Sequence, residues 1–172
     1  AEGKRNGTKI VAFNPVKTPL ADGIIDEFYP IKPGTDLALA LAMIKIILDG
    51  KLYKADFLQK YSDSAALIDG ESKKHLTDKD GKWLAWCSTH KRPEPIDSCD
   101  KPALDGGPFT FELDGKGITA KTVLDLMKEN VKECTPEWAE KICEVPAKDI
   151  ERITKEFAQA APTVCIPNLK RD

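Results

Sequence analysis

The order of apolar and polar residues in the first third of the chain is typical of an α/β protein. Two short runs, Lys9–Phe13 and Glu27–Ile31, are rich in residues that favour strands. The first run is almost wholly apolar, as expected of a parallel strand that is buried on both faces. Pro30 lacks the N–H that a sheet requires, so it limits the second run to an edge strand or a very short one. The pattern therefore predicts two strands early in the chain.

A turn and a long apolar stretch follow the second run. Pro33–Asp36 has the composition of a turn, and Leu37–Leu48 is apolar at nearly every position. Such a stretch predicts a helix that is buried on most sides. We expect Thr35 or Asp36 to cap its start and Gly50 to stop it as a C-terminal glycine.

The middle of the chain, from Ser62 to Gly117, is predicted to be rich in loops. Turn signals recur at Asp69-Gly70, Asp80-Gly81, Asp105-Gly106-Gly107 and Asp114-Gly115. Trp83–Trp86 and Phe109–Leu113 lie between these turns and have the alternation of short strands. The segment is therefore predicted to be an insertion that contains two small hairpins.

Helical spacing returns in the last third of the chain. The pattern predicts a helix after a cap at Thr119, a second that begins at Thr135-Pro136, and a third over about Ala147–Ala160. Their predicted inward positions are Val123, Leu124, Met127 and Val131 in the first, Trp138, Ile142 and Val145 in the second, and Ile150, Ile153, Phe157 and Ala161 in the third. Thr163–Ile166 then predicts another buried strand.

These elements indicate the α/β fold class, namely part of a Rossmann-like parallel-sheet domain with a loop-rich insertion containing small hairpins. The chain of 172 residues has the length of one ordinary domain, and we expect a single fragment of a larger α/β domain. Residues 1–62 are the expected strand and helix half, 63–118 the loop-rich insertion, and 119–172 the helices with a closing strand. The first residues are polar and carry no cleavable signal, and a core strand close to the last residue also favours a fragment.

Composition excludes several classes of function. Hydrophobic residues make up 41% and charged residues 31%, which is typical of a globular protein and not of a disordered tail. A formal net charge of -2 offers no basic surface, so no nucleic-acid partner is expected. Leu37–Leu48 is too short to cross a bilayer and is interrupted by Lys45, so we expect no direct membrane insertion.

The cysteines do not form a recognisable framework. They are five in number, which is odd, and stand at Cys87, Cys99, Cys134, Cys143 and Cys165. Buried, reduced thiols are the simplest interpretation. An alternative is zinc bound by Cys87, His90 and Cys99, although a structural zinc site needs four donors and no Cys-x-x-Cys pair is present. A serine or cysteine hydrolase has little support, because neither His75 nor His90 lies in a nucleophile motif.

Several segments resemble one known family in order and spacing. Lys9–Lys17 (KIVAFNPVK) and Tyr29–Ala42 (YPIKPGTDLALALA) resemble a stretch of the molybdopterin guanine dinucleotide oxidoreductases, the dimethyl sulfoxide reductase family. In that family a strand ends in an Asp-Pro-Arg-like turn, and a later strand runs into Pro-Gly-Thr-Asp and an alanine-rich helix. Further matches follow at Gly50–Phe57, at Thr135–Ala139, and at Val145–Ile150 with Phe157-Ala158.

The first turn departs from the family pattern. Asn14 stands where the family usually has aspartate, and Val16 where it often has arginine. A neutral turn followed by Pro-Ile-Lys-Pro-Gly-Thr-Asp is most similar to the tetrathionate and arsenate reductase branch. The resemblance therefore implies a reductase of a sulfur oxyanion or of arsenate.

The resemblance implies an interior fragment of a catalytic subunit that grips one guanosine end of molybdopterin guanine dinucleotide, with molybdenum or tungsten. The implied cofactor contacts are Asn14, Pro15, Val16, Lys17, Thr18, Gly34, Thr35 and Asp36. An iron–sulfur cluster and the metal ligand are expected upstream, so no catalytic residue is assigned. The implied partners are an electron-transfer subunit and the remainder of the same catalytic subunit. We expect the chain alone to show no redox turnover and to carry no metal or dinucleotide.

The chemistry of guanine suits the implied contact at Asp36. A carboxylate can accept from the ring N–H and the neighbouring NH₂ of guanine at once, in a charge-assisted pair. Gly34 lets the backbone approach the base without an intervening side chain. In the alternative interpretation the chain is a non-catalytic α/β nucleotide-binding module that acts alone as a binding or interaction domain. The alternative for Asp36 is a plain helix cap, and the resemblance favours the guanine contact.

Overall fold

The computed structural model of the protein describes residues 2–5, 7–19 and 23–160. Within these ranges the helices are α1 (Glu2–Arg5), α2 (Asp36–Asp49), α3 (Ala55–Tyr61), α4 (Val123–Asn130), α5 (Pro136–Cys143) and α6 (Ala147–Ala160). The strands are β1 (Val11–Phe13), β2 (Glu27–Tyr29), β3 (Leu67–Asp69), β4 (Leu84–Cys87), β5 (Arg92–Pro95), β6 (Phe109–Leu113) and β7 (Lys116–Thr122). The predicted strand Thr163–Ile166 and the predicted inward position Ala161 lie outside the described residues.

The chain divides into two units, which are described separately. Unit 1 comprises the described residues of Ala1–Leu52 and Val131–Asp172, and unit 2 is Tyr53–Asn130. Together they make a mixed α/β segment with one small parallel sheet and two small antiparallel sheets among the described residues. None of the helices in the described ranges has the length and apolarity that a membrane span requires. The larger parallel sheet expected from the sequence stays a prediction.

In unit 1, β1 and β2 form a parallel pair in which Val11 lies opposite Glu27 and Phe13 opposite Tyr29. The second strand ends directly before Pro30, so the predicted very short strand is confirmed. Both strands are only half-buried, so the prediction of a buried first strand is wrong. A strand is buried on all sides only inside a larger sheet. Among the described residues, the sheet that contains β1 has only two strands, β1 and β2.

The core of unit 1 lies where α2 packs against α5 and α6. Its buried members are Ile31, Leu39, Ala42, Ala139, Cys143, Val145 and Ile150. Phe13 and Tyr29 stack with ring centroids 5.5 Å apart and pack on this core. Most positions of α2 are buried or partly buried, and the exceptions within Leu37–Leu48 are Ala40 and Leu37, which is 70% exposed.

The end of α2 differs from the predicted C-terminal glycine. Gly50 has a right-handed backbone with φ -77, and the left-handed residue is Lys51, with φ 50. A Cβ atom at Gly50 would lie 3.0 Å from the Ile46 carbonyl oxygen and 3.1 Å from Leu52 Cγ. Glycine therefore stands at this helix end because of a close approach, and not because of a positive φ.

The remaining helices of unit 1 agree closely with their sequence signals. The Trp138 N–H donates to Thr135 Oγ1 at 3.2 Å, with Pro136 in the first turn, which confirms the predicted cap. Helix α6 has the predicted bounds, and Ile150 and Ile153 are buried. Phe157 is 62% exposed, so its predicted inward position is wrong, because no described element covers the last turn of α6.

Unit 2 contains the two predicted hairpins. Strands β4 and β5 pair antiparallel, and β6 pairs with β7, which pairs in turn with β3. Asp114 and Gly115 both have positive φ, 51 and 75, as the tight turn between β6 and β7 requires. The core here consists of Leu67, Leu84 and Ala120, against which Trp86 and Phe109 pack.

The start of α4 corrects the sequence prediction. Thr119 is inside β7 and does not cap a helix, since this segment pairs with strands on both sides. The cap is Thr122, whose hydroxyl accepts from the Asp125 N–H at 3.0 Å. Pairing with β3 and β6 overrides the local helix signal, as often happens where β-branched residues face neighbouring strands. Met127 is 40% exposed, so its predicted inward position is also wrong.

Candidate functional site

The two predicted cofactor turns leave the carboxyl ends of neighbouring parallel strands. The Asn14 N–H donates to the Tyr29 carbonyl at 3.2 Å, so the first turn begins beside the residue that ends β2. The second turn starts a few residues later and leads into α2. Open α/β sheets bind nucleotides in the crevice outside such strand ends. The parallel pairing therefore places the start of the first turn beside the end of β2, from which the chain runs through Pro30–Lys32 to the second turn.

The first turn is an exposed loop held by its own polar groups. Asn14 Nδ2 donates to the Val16 carbonyl at 2.6 Å, which closes the turn over Pro15. Residues 14–18, including Lys17 and Thr18, are all exposed. Val16, an apolar residue, is 67% exposed. The loop thus presents its backbone and side chains outward from the strand end.

The second turn positions Asp36 without using its carboxylate. Thr35 Oγ1 donates to the Lys32 carbonyl at 2.6 Å, and the Thr35 N–H donates to the same oxygen at 3.3 Å. Thr35 occupies the cap position of α2 as predicted, yet no side chain makes a cap hydrogen bond there. Asp36 is the first residue of the helix, is exposed, and pairs with no described residue.

This arrangement is compatible with a guanine base. The Asp36 carboxylate keeps all its acceptor capacity and lies at the positive end of a 14-residue helix, where a negative charge is favoured. Gly34 has φ 79, and nothing lies within 4 Å of the position of a Cβ atom there. The backbone at Gly34 is thus open to a flat ligand, and the neighbouring carboxylate can accept from two donors at once.

A second cluster, of charged and polar side chains that the sequence analysis did not identify, links β2 to α6 through ion pairs and hydrogen bonds. Arg152 Nη2 lies 2.5 Å from Glu27 Oε2 and 2.8 Å from the Tyr29 hydroxyl, and Lys9 Nζ lies 2.5 Å from Glu27 Oε1. The hydrogen bonds from Arg152 and then from Lys9 lower the pKa of Glu27 to about 2. The only feature of the sequence that indicates this cluster is the spacing of four residues between Arg152 and Glu156, which pair at 2.8 Å.

The Glu27 cluster predicts a pH-dependent contribution to stability. A carboxylate with a lowered pKa stabilises the fold fully above its ordinary pKa of 4.5, and this stabilisation is lost as the pH falls through about 2. We expect Glu27→Gln to lower the melting temperature at pH 6, with the difference from wild type shrinking between those two pKa values. Glu140→Gln, on the exposed side of α5, is the matched control and should show no such trend. A constant difference down to pH 2 would contradict the assignment.

Unit 2 places Cys87 near each of the other two donors that the sequence suggested for zinc, His90 and Cys99, but in two separate groups. Cys87 Sγ lies 3.4 Å from His90 Nδ1, and its thiol donates to Asp100 Oδ1 at 3.1 Å. Cys87, Glu94 and Cys99 also have ligand atoms within 4.8 Å of one another. Burial, together with the neighbouring Cys87, raises the pKa of Cys99 to about 12. The two carboxylates were missed because nothing in their local sequence marks them as donors.

Comparison with known proteins identifies curated proteins whose sequences are similar to this chain. No protein-family model matches it. The chain is 33% identical to a sulfite dehydrogenase subunit from Allochromatium vinosum, over 94% of this chain and 18% of that protein. It is 30% identical to a perchlorate reductase subunit from Dechloromonas aromatica, over 96% of this chain and 22% of that protein. The chain thus spans about a fifth of the length of the curated relatives it matches.

One solved structure with a similar fold is acetylene hydratase from Pelobacter acetylenicus. The superposition has a TM-score of 0.52 at 19% sequence identity and covers 94% of this chain and 14% of that one. At this identity the likeness concerns the fold alone.

Proposed function

We propose, from its homology to a segment of molybdopterin-dependent oxidoreductase catalytic subunits, that this chain binds one guanosine end of a molybdopterin guanine dinucleotide. The observation that supports the proposal is the parallel pairing of β1 and β2, since the two candidate turns follow the carboxyl ends of these strands. In this proposal the pair belongs to a larger Rossmann-like parallel sheet, completed by the rest of the subunit.

Each turn has its own part in the binding. Asp36 accepts from the ring N–H and the NH₂ of guanine, and Gly34 offers open backbone to the base or ribose. The exposed residues Asn14–Thr18 line the other side of the guanosine. The bound cofactor supplies two-electron chemistry at molybdenum or tungsten. The chain itself contributes orientation and retention of the cofactor and no catalytic residue.

The names of the relatives bear on the substrate class. Two of the curated relatives are, by name, a dehydrogenase of sulfite and a reductase of perchlorate, both oxyanions. The full-length protein is accordingly an oxidoreductase of an oxyanion, with a sulfur oxyanion or arsenate as the expected substrates. Both relatives are named as subunits, which supports an electron-transfer partner for this protein as well.

The proposal is tested by cofactor analysis of the full-length protein, expressed in a host that makes the dinucleotide. We expect molybdenum or tungsten, and guanine nucleotide released by acid hydrolysis, in a constant ratio. We also expect a reduced dye to be oxidised when a panel of oxyanions is supplied. A folded protein with neither metal nor guanine nucleotide would support the stand-alone binding module instead.

A further inference from the structure

The β4–β5 hairpin holds a thiol and an imidazole side by side. Strand β4 ends at Cys87, which lies opposite Arg92 at the start of β5. The chain reverses through a turn in which Lys91 has φ 56 and its N–H donates to the Cys87 carbonyl at 2.9 Å. This turn brings His90 Nδ1 to 3.4 Å from Cys87 Sγ. The backbone turn thus places the two residues close together, and their side-chain rotamers complete the contact.

The loop after β5 returns to the same strand end. The Ser88 N–H donates to the Lys101 carbonyl at 2.9 Å, and the Ala103 N–H donates to the Trp86 carbonyl at 2.8 Å. These two bonds flank Cys87 and anchor the segment that carries Cys99 and Asp100. The loop thus delivers a second thiol and a carboxylate to a thiol that is completely buried.

Cys87 belongs to two overlapping groups of donor atoms, each of which is compact enough to bind one metal ion. With bonds of about 2.3 Å to sulfur and about 2.0 Å to nitrogen or oxygen, ligand atoms around tetrahedral zinc lie about 3.3–3.8 Å apart. Cys87 Sγ lies 3.4 Å from His90 Nδ1 and 3.1 Å from Asp100 Oδ1. Cys99 belongs to the second group, with Cys87 and Glu94, whose ligand atoms are within 4.8 Å of one another. The two groups share Cys87, so a single four-donor site requires the exposed side chains of His90 and Asp100 to rotate toward Cys99.

We infer that Cys87, His90, Cys99 and Asp100 form a zinc site in unit 2. Two thiolates, an imidazole and a carboxylate are a donor set that zinc accepts, and thiolates select against magnesium and calcium. Asp100 supplies the fourth donor that the sequence alone did not provide. Glu94 contacts the same His90 Nδ1 at 3.1 Å and is held by Arg92 at 2.7 Å. A ring nitrogen cannot bind zinc and hydrogen-bond to a carboxylate at once, so zinc binding at Nδ1 replaces this contact.

This site replaces the expectation that the chain carries no metal. Four protein donors leave no open position, so the zinc is structural and closes the loop between β5 and β6 onto β4. The site is independent of the proposed cofactor binding, because zinc content is measured separately from molybdenum, tungsten and guanine nucleotide. Either proposal can therefore fail without the other.

The first test measures zinc in the full-length protein, purified with added zinc and then dialysed. We expect one zinc per chain, and X-ray absorption at the zinc edge should show sulfur at about 2.3 Å and nitrogen or oxygen at about 2.0–2.1 Å. Folded protein without zinc, or a zinc ion with no sulfur neighbours, would overturn the site. So would a Cys87–Cys99 disulfide found by mass spectrometry in untreated protein.

The second test compares matched variants for zinc retention. Cys99→Ser and Asp100→Asn should each weaken zinc binding at least about tenfold in competition with a chelator, since loss of even an outer-shell partner of a ligand costs about 10–100-fold. Asp97→Asn, exposed in the same loop, and Cys134→Ser, a buried thiol of unit 1, are the controls and should keep their zinc. Asp100 is exposed, so its variant is expected to fold and gives a reading even where a cysteine variant does not. Unchanged zinc affinity in Asp100→Asn would remove it from the ligand set and overturn the site as stated.

Discussion

Replacing Asp36 by asparagine in the full-length protein is expected to lower its affinity for the dinucleotide cofactor by roughly tenfold to a hundredfold. An asparagine keeps one acceptor and turns an NH₂ group toward a guanine donor, so a buried polar group is left without its partner. Loss of a charge-assisted bond of this kind is on the order of 1.5–3 kcal/mol, which corresponds to that change in affinity. Metal and guanine nucleotide remaining after purification and dialysis are the measurements.

The matched control for this variant is Asp56→Asn. Asp36 and Asp56 are both exposed acidic residues in the first turn of a helix, α2 and α3 respectively. Each variant loses the same favourable interaction with the helix dipole, about 0.3–1 kcal/mol at an exposed position. We therefore expect similar small shifts in melting temperature and a loss of cofactor only in Asp36→Asn. Full cofactor occupancy in that variant would leave Asp36 as an ordinary acidic residue at a helix start.

The parts of the fold that the sequence predicts well are those set by local chemistry. Thr135 with Pro136 marks the start of α5 because a hydroxyl acceptor and a fixed φ both act within one turn. Pro30 ends β2 for a similarly local reason, the missing N–H. The turn at Asp114-Gly115 needs positive φ at both residues, and its composition is one that tolerates it.

The predictions that failed depend on what lies opposite a residue in space. Thr119 lies in a strand because β3 and β6 pair with it from both sides, and no local pattern contains that information. Leu37 is exposed on an apolar helix because both partner helices of α2 pack on its other side. The proposed zinc donors could not be predicted from sequence for the same reason. Asp100 lies beside Cys87 because the loop after β5 returns and forms backbone hydrogen bonds on both sides of Cys87.

The candidate nucleotide site shows how far a sequence pattern extends. The resemblance implies Asp36, Gly34 and Asn14, and the parallel pairing of β1 and β2 places Asn14 beside the end of the strand that leads toward Gly34 and Asp36. The sequence pattern did not determine whether the Asp36 side chain caps the start of α2. The Thr35 hydroxyl bonds to Lys32 instead of capping α2, and Asp36 is left exposed with its carboxylate unused by described residues.

Helix α6 provides the largest expected change in stability, at a position where the structure and the sequence pattern agree. Ile150 is 1% exposed and belongs to the core that α2, α5 and α6 share. Truncation to alanine removes buried methyl and methylene groups and leaves a cavity, because the neighbouring side chains relax only in part. We expect Ile150→Ala to lower the free energy of unfolding of unit 1 by about 2–5 kcal/mol.

Phe157 on the same helix supplies the contrasting case, since the periodicity predicted it inward and the structure exposes 62% of it. We expect Phe157→Ala to change the free energy of unfolding by no more than about 0.5 kcal/mol, the range usual for exposed substitutions. Urea titration with pulsed hydrogen exchange at α2 and α5 reports on unit 1 alone, and the midpoint should move without a change in slope. If Phe157→Ala destabilised unit 1 as much as Ile150→Ala, the last turn of α6 would have to be covered. The inward position predicted by the apolar spacing would then be the correct one.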